Sequence, residues 1–162
     1  MDKPIHVLIV DDEEKFLAAI AKRLSMRGFE VVTAPNGEEA LAKTDEQQFD
    51  LALVDLKMPG IDGRELLRLL KERHKFLEVI ILTGHGSLDS AVDCTKLGAF
   101  GYLPKPYELD KLIEVLKDAY QERMKKKFEH DRGRMQKIME SAVGESALGI
   151  LRKLRELDDD EK

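Results

Sequence analysis

The chain has 162 residues, 43% of them hydrophobic and 36% charged, which suits one domain with an appendage, a sizeable core and a well-solvated surface. Its net charge of −5 argues against nucleic-acid binding by the whole chain, and its single cysteine excludes a disulfide framework and a cysteine zinc site. Because no apolar run approaches the ~18 residues of a membrane span and the N-terminus lacks the long apolar region of a signal peptide, we expect a cytoplasmic protein without membrane segments.

Five short runs of β-forming residues recur at roughly even spacing and predict five strands. They are Ile5–Val10, Glu30–Ala34, Leu51–Val54, Val79–Leu82 and Phe100–Leu103. The first, third and fourth runs are nearly all apolar, as expected for central strands that are buried on both faces of a sheet.

Amphipathic helical segments separate the predicted strands. The first carries an apolar face of Phe16, Leu17, Ile20 and Leu24. It ends at Gly28, and the second helix is Glu38–Thr44. The third begins near Asp62, a candidate N-cap, the fourth spans about Ser87–Leu97, and the fifth begins near Tyr107. This alternation of strand and helix predicts a parallel sheet with right-handed crossovers and helices on both faces.

Polar residues stand at the carboxyl ends of four predicted strands, where an open α/β sheet binds its ligand. Asp11 and Asp12 follow the first strand, and Asp55 follows the third. Thr83 follows the fourth strand, and Lys105 follows the fifth. Three carboxylates in one place repel each other, and a divalent cation such as Mg²⁺, which prefers oxygen ligands, relieves that repulsion. The same cation would screen an incoming phosphoryl group and let Asp55 act as a nucleophile.

Each of these residues also has an ordinary structural explanation. Asp11 or Asp12 could cap the following helix, and Asp55 could be a turn residue. Thr83 could be a strand-end hydroxyl, and Lys105 a solvated loop lysine. Their joint occurrence at matching strand ends favours a phosphoryl-acceptor site, in which Thr83 hydrogen-bonds a phosphoryl oxygen and Lys105 neutralises charge.

Four segments of the chain resemble the receiver domain of two-component response regulators: VLIVDDEE, VDLKMPGIDG, IILTGHGS and LGAFGYLPKPY. The resemblance covers about residues 4–120 and implies a flavodoxin-like, three-layer αβα sandwich with strand order 2-1-3-4-5. The spellings TGHGS and YLPKPYELDKL most resemble receivers of the nitrogen-regulation type of transcription activator. Those activators carry an ATPase domain. This chain has no phosphate-binding loop of the ATPase type and is too short to hold such a domain beside the receiver, so we expect a stand-alone receiver.

The resemblance implies a role for each site residue. Asp55 would accept a phosphoryl group from the phosphohistidine of a sensor histidine kinase. Asp12 and Asp55 would bind Mg²⁺ directly, Asp11 would act mainly through water, and the backbone carbonyl of Lys57 would complete the protein's ligands. Lys105 would pair with the phosphoryl group.

The resemblance also implies a two-state switch. Thr83 would move toward the phosphoryl group and Tyr102 would turn inward, which alters the surface formed by the fourth helix, fifth strand and fifth helix. Lys57 and His85 would flank the pocket and tune hydrolysis of the phosphoaspartate. The alternatives are a half-buried strand tyrosine at Tyr102 and a solvated loop histidine at His85. The Lys105–Pro106 bond is typically cis in the family.

The resemblance ends near residue 120, so we divide the chain into a receiver, 1–120, and a helical extension, 121–162. The fifth helix is expected to continue into this extension, because apolar residues recur four apart at Leu112, Leu116, Tyr120, Met124 and Phe128. Gly133 suggests a break, and a second helical pattern from Met135 to Leu157 is weakened by Gly144 and Gly149. Such a pattern must fold back on the receiver, pair in a dimer, or bind another protein.

Several outputs are compatible with the sequence. The first is phosphorylation-dependent protein contact, including a homodimer through the fourth helix, fifth strand and fifth helix or through the C-terminal helices. A second is a phosphorelay intermediate that passes its phosphate to a histidine phosphotransfer protein.

DNA binding through the extension is a third output. The segment ALGILRKLREL faintly resembles the end of a helix-turn-helix, and residues 121–137 hold seven basic and three acidic residues. The acidic end, Asp158–Glu161, opposes this alternative. A phosphohydrolase of the haloacid-dehalogenase type would need an acid where Lys57 stands, so we expect only self-phosphorylation and self-dephosphorylation, not turnover of a separate substrate.

Overall fold

The computed structural model describes residues 3–84, 88–142 and 147–160. By its internal packing the chain divides into two compact units, one up to Arg123 and one from Met124 onward. The functional division at residue 120 stays a prediction. In the described ranges, no helix combines the length and the hydrophobicity that a membrane span requires.

The first unit contains a five-stranded, wholly parallel sheet with the order β2-β1-β3-β4-β5. Its strands are β1 His6–Val10, β2 Glu30–Ala34, β3 Leu51–Asp55, β4 Glu78–Thr83 and β5 Gly101–Pro104. The three central strands carry the longest apolar runs and are almost completely buried. The predicted strands, the strand order and the parallel arrangement are confirmed, with boundaries that differ by at most one residue.

Helices cover both faces of this sheet and give the predicted three-layer sandwich. They are α1 Glu14–Met26, α2 Gly37–Glu46, α3 Gly63–Arg73, α4 Leu88–Lys96 and α5 Leu109–Ser141. Residues of α2, α3 and α4 share one buried cluster with one face of the strands, and residues of α1 and α5 share the other. The predicted N-cap is confirmed, because the side chain of Asp62 accepts a hydrogen bond from the backbone N–H of Glu65 at 2.9 Å.

The second unit corrects the predicted course of the extension. Helix α5 is 33 residues long and runs through Gly133 without ending there. The second helix, α6, is Ala147–Asp160, so the predicted helix start at Met135 is wrong. One glycine costs a helix only about 1 kcal/mol, and strong helix formers surround this one. The ALGILRKLREL segment lies within α6 as one continuous helix, and Gly144 lies outside the described residues.

Candidate functional site

The strand register brings the predicted site residues to one edge of the sheet. β1 pairs with β3 so that Val10 stands opposite Val54, which places Asp11 and Asp55 side by side at the carboxyl ends of neighbouring strands. On the other side of β3, Asp55 stands opposite Leu82 of β4. The site therefore lies where the order of connections reverses between β1 and β3, as in other open α/β sheets.

Three carboxylates meet at this edge and form what we call the carboxylate cluster: Asp11, Asp12 and Asp55. One oxygen atom from each lies within 4.8 Å of the other two. Asp11 is fully buried, Asp55 is 8% exposed, and Asp12 is exposed. Because hard divalent cations prefer carboxylate oxygens and water, this donor set fits Mg²⁺ with one side open to solvent.

The Asp11 side chain is fixed by contacts on both oxygens. Its Oδ1 accepts a hydrogen bond from the backbone N–H of Glu13 at 2.9 Å. Its Oδ2 forms an ion pair with Lys105, whose Nζ lies 2.8 Å away. The Asp11 side chain of this pair is fully buried. The pairing partly offsets the cost of burying the carboxylate and holds Lys105 over the cluster.

The surroundings of Asp55 disfavour the negative charge of its carboxylate. Burial, together with the nearby charge of Asp11, raises its pKa from the usual 3.8 to about 6. Lys105, whose Nζ lies 4.0 Å from Oδ2, and the backbone N–H of Lys57, 3.4 Å from Oδ1, oppose the rise in pKa. With a pKa of about 6, the carboxylate is mostly ionised at neutral pH. The single positive charge of Lys105 does not balance the two negative charges of Asp11 and Asp55.

Lys105 is supported by the aromatic ring of Phe16, a residue that the sequence predicted only as part of the apolar face of the first helix. Its Nζ lies 4.4 Å from the ring centroid of Phe16, within cation–π range. The ring of Tyr107 meets that of Phe16 edge-on, with centroids 6.3 Å apart. The only available signal for Phe16 was its place in the first turn of α1, directly after the carboxyl end of β1. The Lys105–Pro106 bond is cis, as predicted.

The loop that follows Asp55 depends on glycine at two positions. Gly60 has a φ of +77°, a conformation that other residues rarely adopt. Gly63, the first residue of α3, packs so closely that an added Cβ would lie 2.5 Å from the carbonyl oxygen of Asp55. A side chain at Gly63 would therefore displace the start of α3 or the backbone of Asp55.

The remaining predicted residues take separate places. Thr83 is 2% exposed at the end of β4, and its carbonyl oxygen accepts a hydrogen bond from the backbone N–H of Lys105 at 2.7 Å. Tyr102 is 37% exposed on β5, opposite Ile81 in the register. Lys57 is exposed in the loop after β3, and His85 lies outside the described residues. The structure thus brings the carboxylates and Lys105 together, and the individual roles stay predictions.

The comparisons with known sequences agree with this site. A family model described as the response regulator receiver domain matches residues 7–117. The DNA-binding transcriptional regulator NtrC of Salmonella typhimurium is 40% identical over 119 residues, which cover 72% of this chain and 25% of NtrC. A putative NtrX-like response regulator of Rickettsia felis is 39% identical over 117 residues, 71% of this chain and 25% of that protein. The chain thus spans about a quarter of the length of these relatives.

Solved structures show the same similarity. A response regulator receiver domain protein from Clostridium thermocellum shares 37% identity with a TM-score of 0.72, covering 74% of this chain and 97% of its own. NtrX from Brucella abortus, in complex with ADP, shares 32% identity with a TM-score of 0.76, covering 80% of this chain and 30% of its own.

Proposed function

Because this chain belongs to the family of response regulator receiver domains, which signal by accepting a phosphoryl group, we propose that Asp55 is its phosphoacceptor. The observation that carries the proposal is the carboxylate cluster with Lys105 ion-paired to Asp11 beside it. Asp11 has both oxygens committed, one to the backbone N–H of Glu13 and one to Lys105, and Asp12 is exposed. Asp55 is buried at the end of β3, the middle strand of the sheet, with Oδ2 4.0 Å from Lys105.

We propose that the donor is a phosphohistidine of a sensor histidine kinase. The phosphorus–nitrogen bond breaks, a phosphorus–oxygen bond forms to an Asp55 oxygen, and the electron pair returns to the imidazole nitrogen. Asp55 must be ionised to attack, and Lys105 holds a positive charge 4.0 Å from it. The proposed chemistry is confined to phosphorylation and dephosphorylation of the chain itself.

The carboxylate cluster, with the backbone carbonyl of Lys57, is the set of groups that would hold Mg²⁺. The cation, when bound, supplies positive charge for the acceptor carboxylate and for the phosphoryl oxygens. The elevated pKa of Asp55 supports this assignment, because the two buried carboxylates share too little positive charge without it. Asp12, which is exposed, gives the cluster an open side for water and a phosphodonor.

We further propose that phosphorylation is transmitted through β4 and β5 by Thr83 and Tyr102. Thr83 is buried at the end of β4, and its carbonyl oxygen accepts a hydrogen bond from the backbone N–H of Lys105. A shift of Thr83 would therefore move the backbone that follows β5. Tyr102 lies on β5 with 37% of its surface exposed, which leaves it room to become more buried. The downstream partner would bind the surface that contains Tyr102.

The phosphoacceptor is tested by intact mass after incubation with Mg²⁺ and a small phosphodonor. Wild type should gain one phosphoryl group, Asp55→Asn should gain none, and wild type with a chelator in place of Mg²⁺ should gain little. Asp45→Asn removes an exposed carboxylate on α2 and should behave as wild type. An unmodified wild type, or an Asp55→Asn chain that is modified as readily, would refute the assignment.

A further inference from the structure

An exposed apolar stripe follows one face of α5 in the second unit. It consists of Met124, Phe128, Met135 and Met139, which are 47%, 67%, 45% and 59% exposed. At 100° per residue these four side chains fall within about 60° of the helix circumference and extend over about 22 Å. On the same helix Ile138 is 7% exposed, so α5 combines one covered side with this uncovered stripe. Four large exposed side chains in line are typical of a surface that binds another protein.

The spacing of the stripe is symmetric. The midpoint between Met124 and Met139 is also the midpoint between Phe128 and Met135, and it falls between residues 131 and 132. A helix with this symmetry can pair with an identical antiparallel helix about a two-fold axis, because each stripe residue then meets a stripe residue of the second copy. In that arrangement both phenylalanines face methionines, which are favourable partners for aromatic rings.

The charges on α5 favour the antiparallel direction. Lys125, Lys126 and Lys127 form a run of three positive charges at the start of the stripe. Parallel pairing would place the two lysine runs side by side, where like charges repel. Antiparallel pairing places each run level with residues 136–138 of the second copy, which carry a single positive charge, so the repulsion is weaker. The opposed helix dipoles add to this preference.

We propose that α5 pairs with α5 of a second copy, antiparallel, through the stripe of Met124, Phe128, Met135 and Met139. The partner is thus a copy of this chain, and the contact is isologous. The stripe covers only about four turns, so the dimer is a small interface and should form and dissociate with concentration. The proposal is independent of phosphorylation at Asp55.

The first test is the solution mass of the full chain over a range of concentrations, by sedimentation equilibrium. Wild type should approach the dimer mass as concentration rises, and Phe128→Gln should raise the dissociation constant by about tenfold or more. Phe128 is 67% exposed, so the substitution should leave the helix content unchanged by circular dichroism. Met26→Gln is the matched control, because Met26 is 78% exposed on α1, outside the stripe. A monomer at every concentration, or a dimer that Phe128→Gln leaves intact, would overturn the proposal.

The second test distinguishes the two directions by disulfide trapping. Met124→Cys and Met139→Cys are prepared separately, and Cys94 stays in place because it is fully buried. In the antiparallel dimer each new cysteine lies about 22 Å from its own counterpart, too far for a disulfide, but next to the other position. Mild oxidation should therefore give a covalent dimer only when the two variants are mixed. Covalent dimers of each variant alone would indicate parallel pairing, and no covalent dimer in the mixture would also refute the proposal.

Discussion

Replacing Asp55 with asparagine should make the Mg²⁺-free protein more stable at pH 8, although it removes the residue on which the proposed function depends. The Asp55 carboxylate is buried beside Asp11, and both effects disfavour its charge in the folded state. Asparagine has the same shape without the charge. The variant therefore loses the electrostatic cost of the site while retaining its packing.

The size of the effect follows from the pKa of Asp55. A rise from 3.8 to about 6 corresponds to about 3 kcal/mol of folding free energy, at 1.36 kcal/mol for each pKa unit. The residual exposure of the side chain and solvent screening reduce this figure, so we expect a gain of about 2 kcal/mol at pH 8. For a chain of this length, that gain corresponds to about 4–8 °C in Tm.

The gain should depend on pH with a defined sign. Because folding raises the pKa of Asp55, the folded protein binds this proton more tightly than the unfolded chain. The wild type therefore bears no charge penalty below about pH 4, and the penalty grows as pH rises through about 6. The stability difference between Asp55→Asn and wild type should be full at pH 8 and should disappear near pH 4.

The assay is thermal unfolding followed by far-UV circular dichroism from pH 4 to pH 8, since the chain has no tryptophan for fluorescence. Measurements in a chelator give the metal-free difference, and added Mg²⁺ should stabilise wild type more than the variant. Asp45→Asn serves as the control for removing an exposed carboxylate. A variant no more stable than wild type at pH 8, or a gain that does not change with pH, would refute the electrostatic reasoning.

Three further predictions concern residues outside the carboxylate cluster. Phe16→Leu should slow phosphorylation by a small phosphodonor about fivefold, because the loss of ~1 kcal/mol of cation–π energy leaves Lys105 less well placed, whereas Phe16→Tyr should retain the rate. Gly63→Ala should destabilise the protein by about 1–3 kcal/mol in denaturant unfolding, because its Cβ would strike the carbonyl oxygen of Asp55. Gly133→Ala should instead stabilise it by up to about 1 kcal/mol, and a loss of stability there would contradict an unbroken α5.

The fold was largely predictable, because its signals are periodic and local. Long apolar runs identified the central strands, and the segments between them had helical spacing. The cap at Asp62 was readable from residue type, and the structure confirms its hydrogen bond to the backbone N–H of Glu65. The strand order came from the family resemblance, since several orders satisfy the same alternation of strand and helix.

Two features of the chain were not predictable in the same way. Gly133 was interpreted as a helix break, but its small helix penalty is outweighed by the neighbouring residues of a long helix. Phe16 was assigned to the apolar face of the first helix, which is true of its spacing but misses its contact with Lys105. That contact joins residues 89 positions apart in the chain, so no local pattern reports it.

The sequence by itself determined which residues stand at the carboxyl ends of the strands, because the position of a residue relative to a strand is a local property. It thereby determined the chemistry of the edge: three carboxylates, a hydroxyl and a lysine. Only the tertiary structure decided that Asp11 is buried and paired with Lys105, and that Asp55 is short of positive charge. Burial and charge separation depend on packing between distant segments, and these determine the pKa values and the stability of the site.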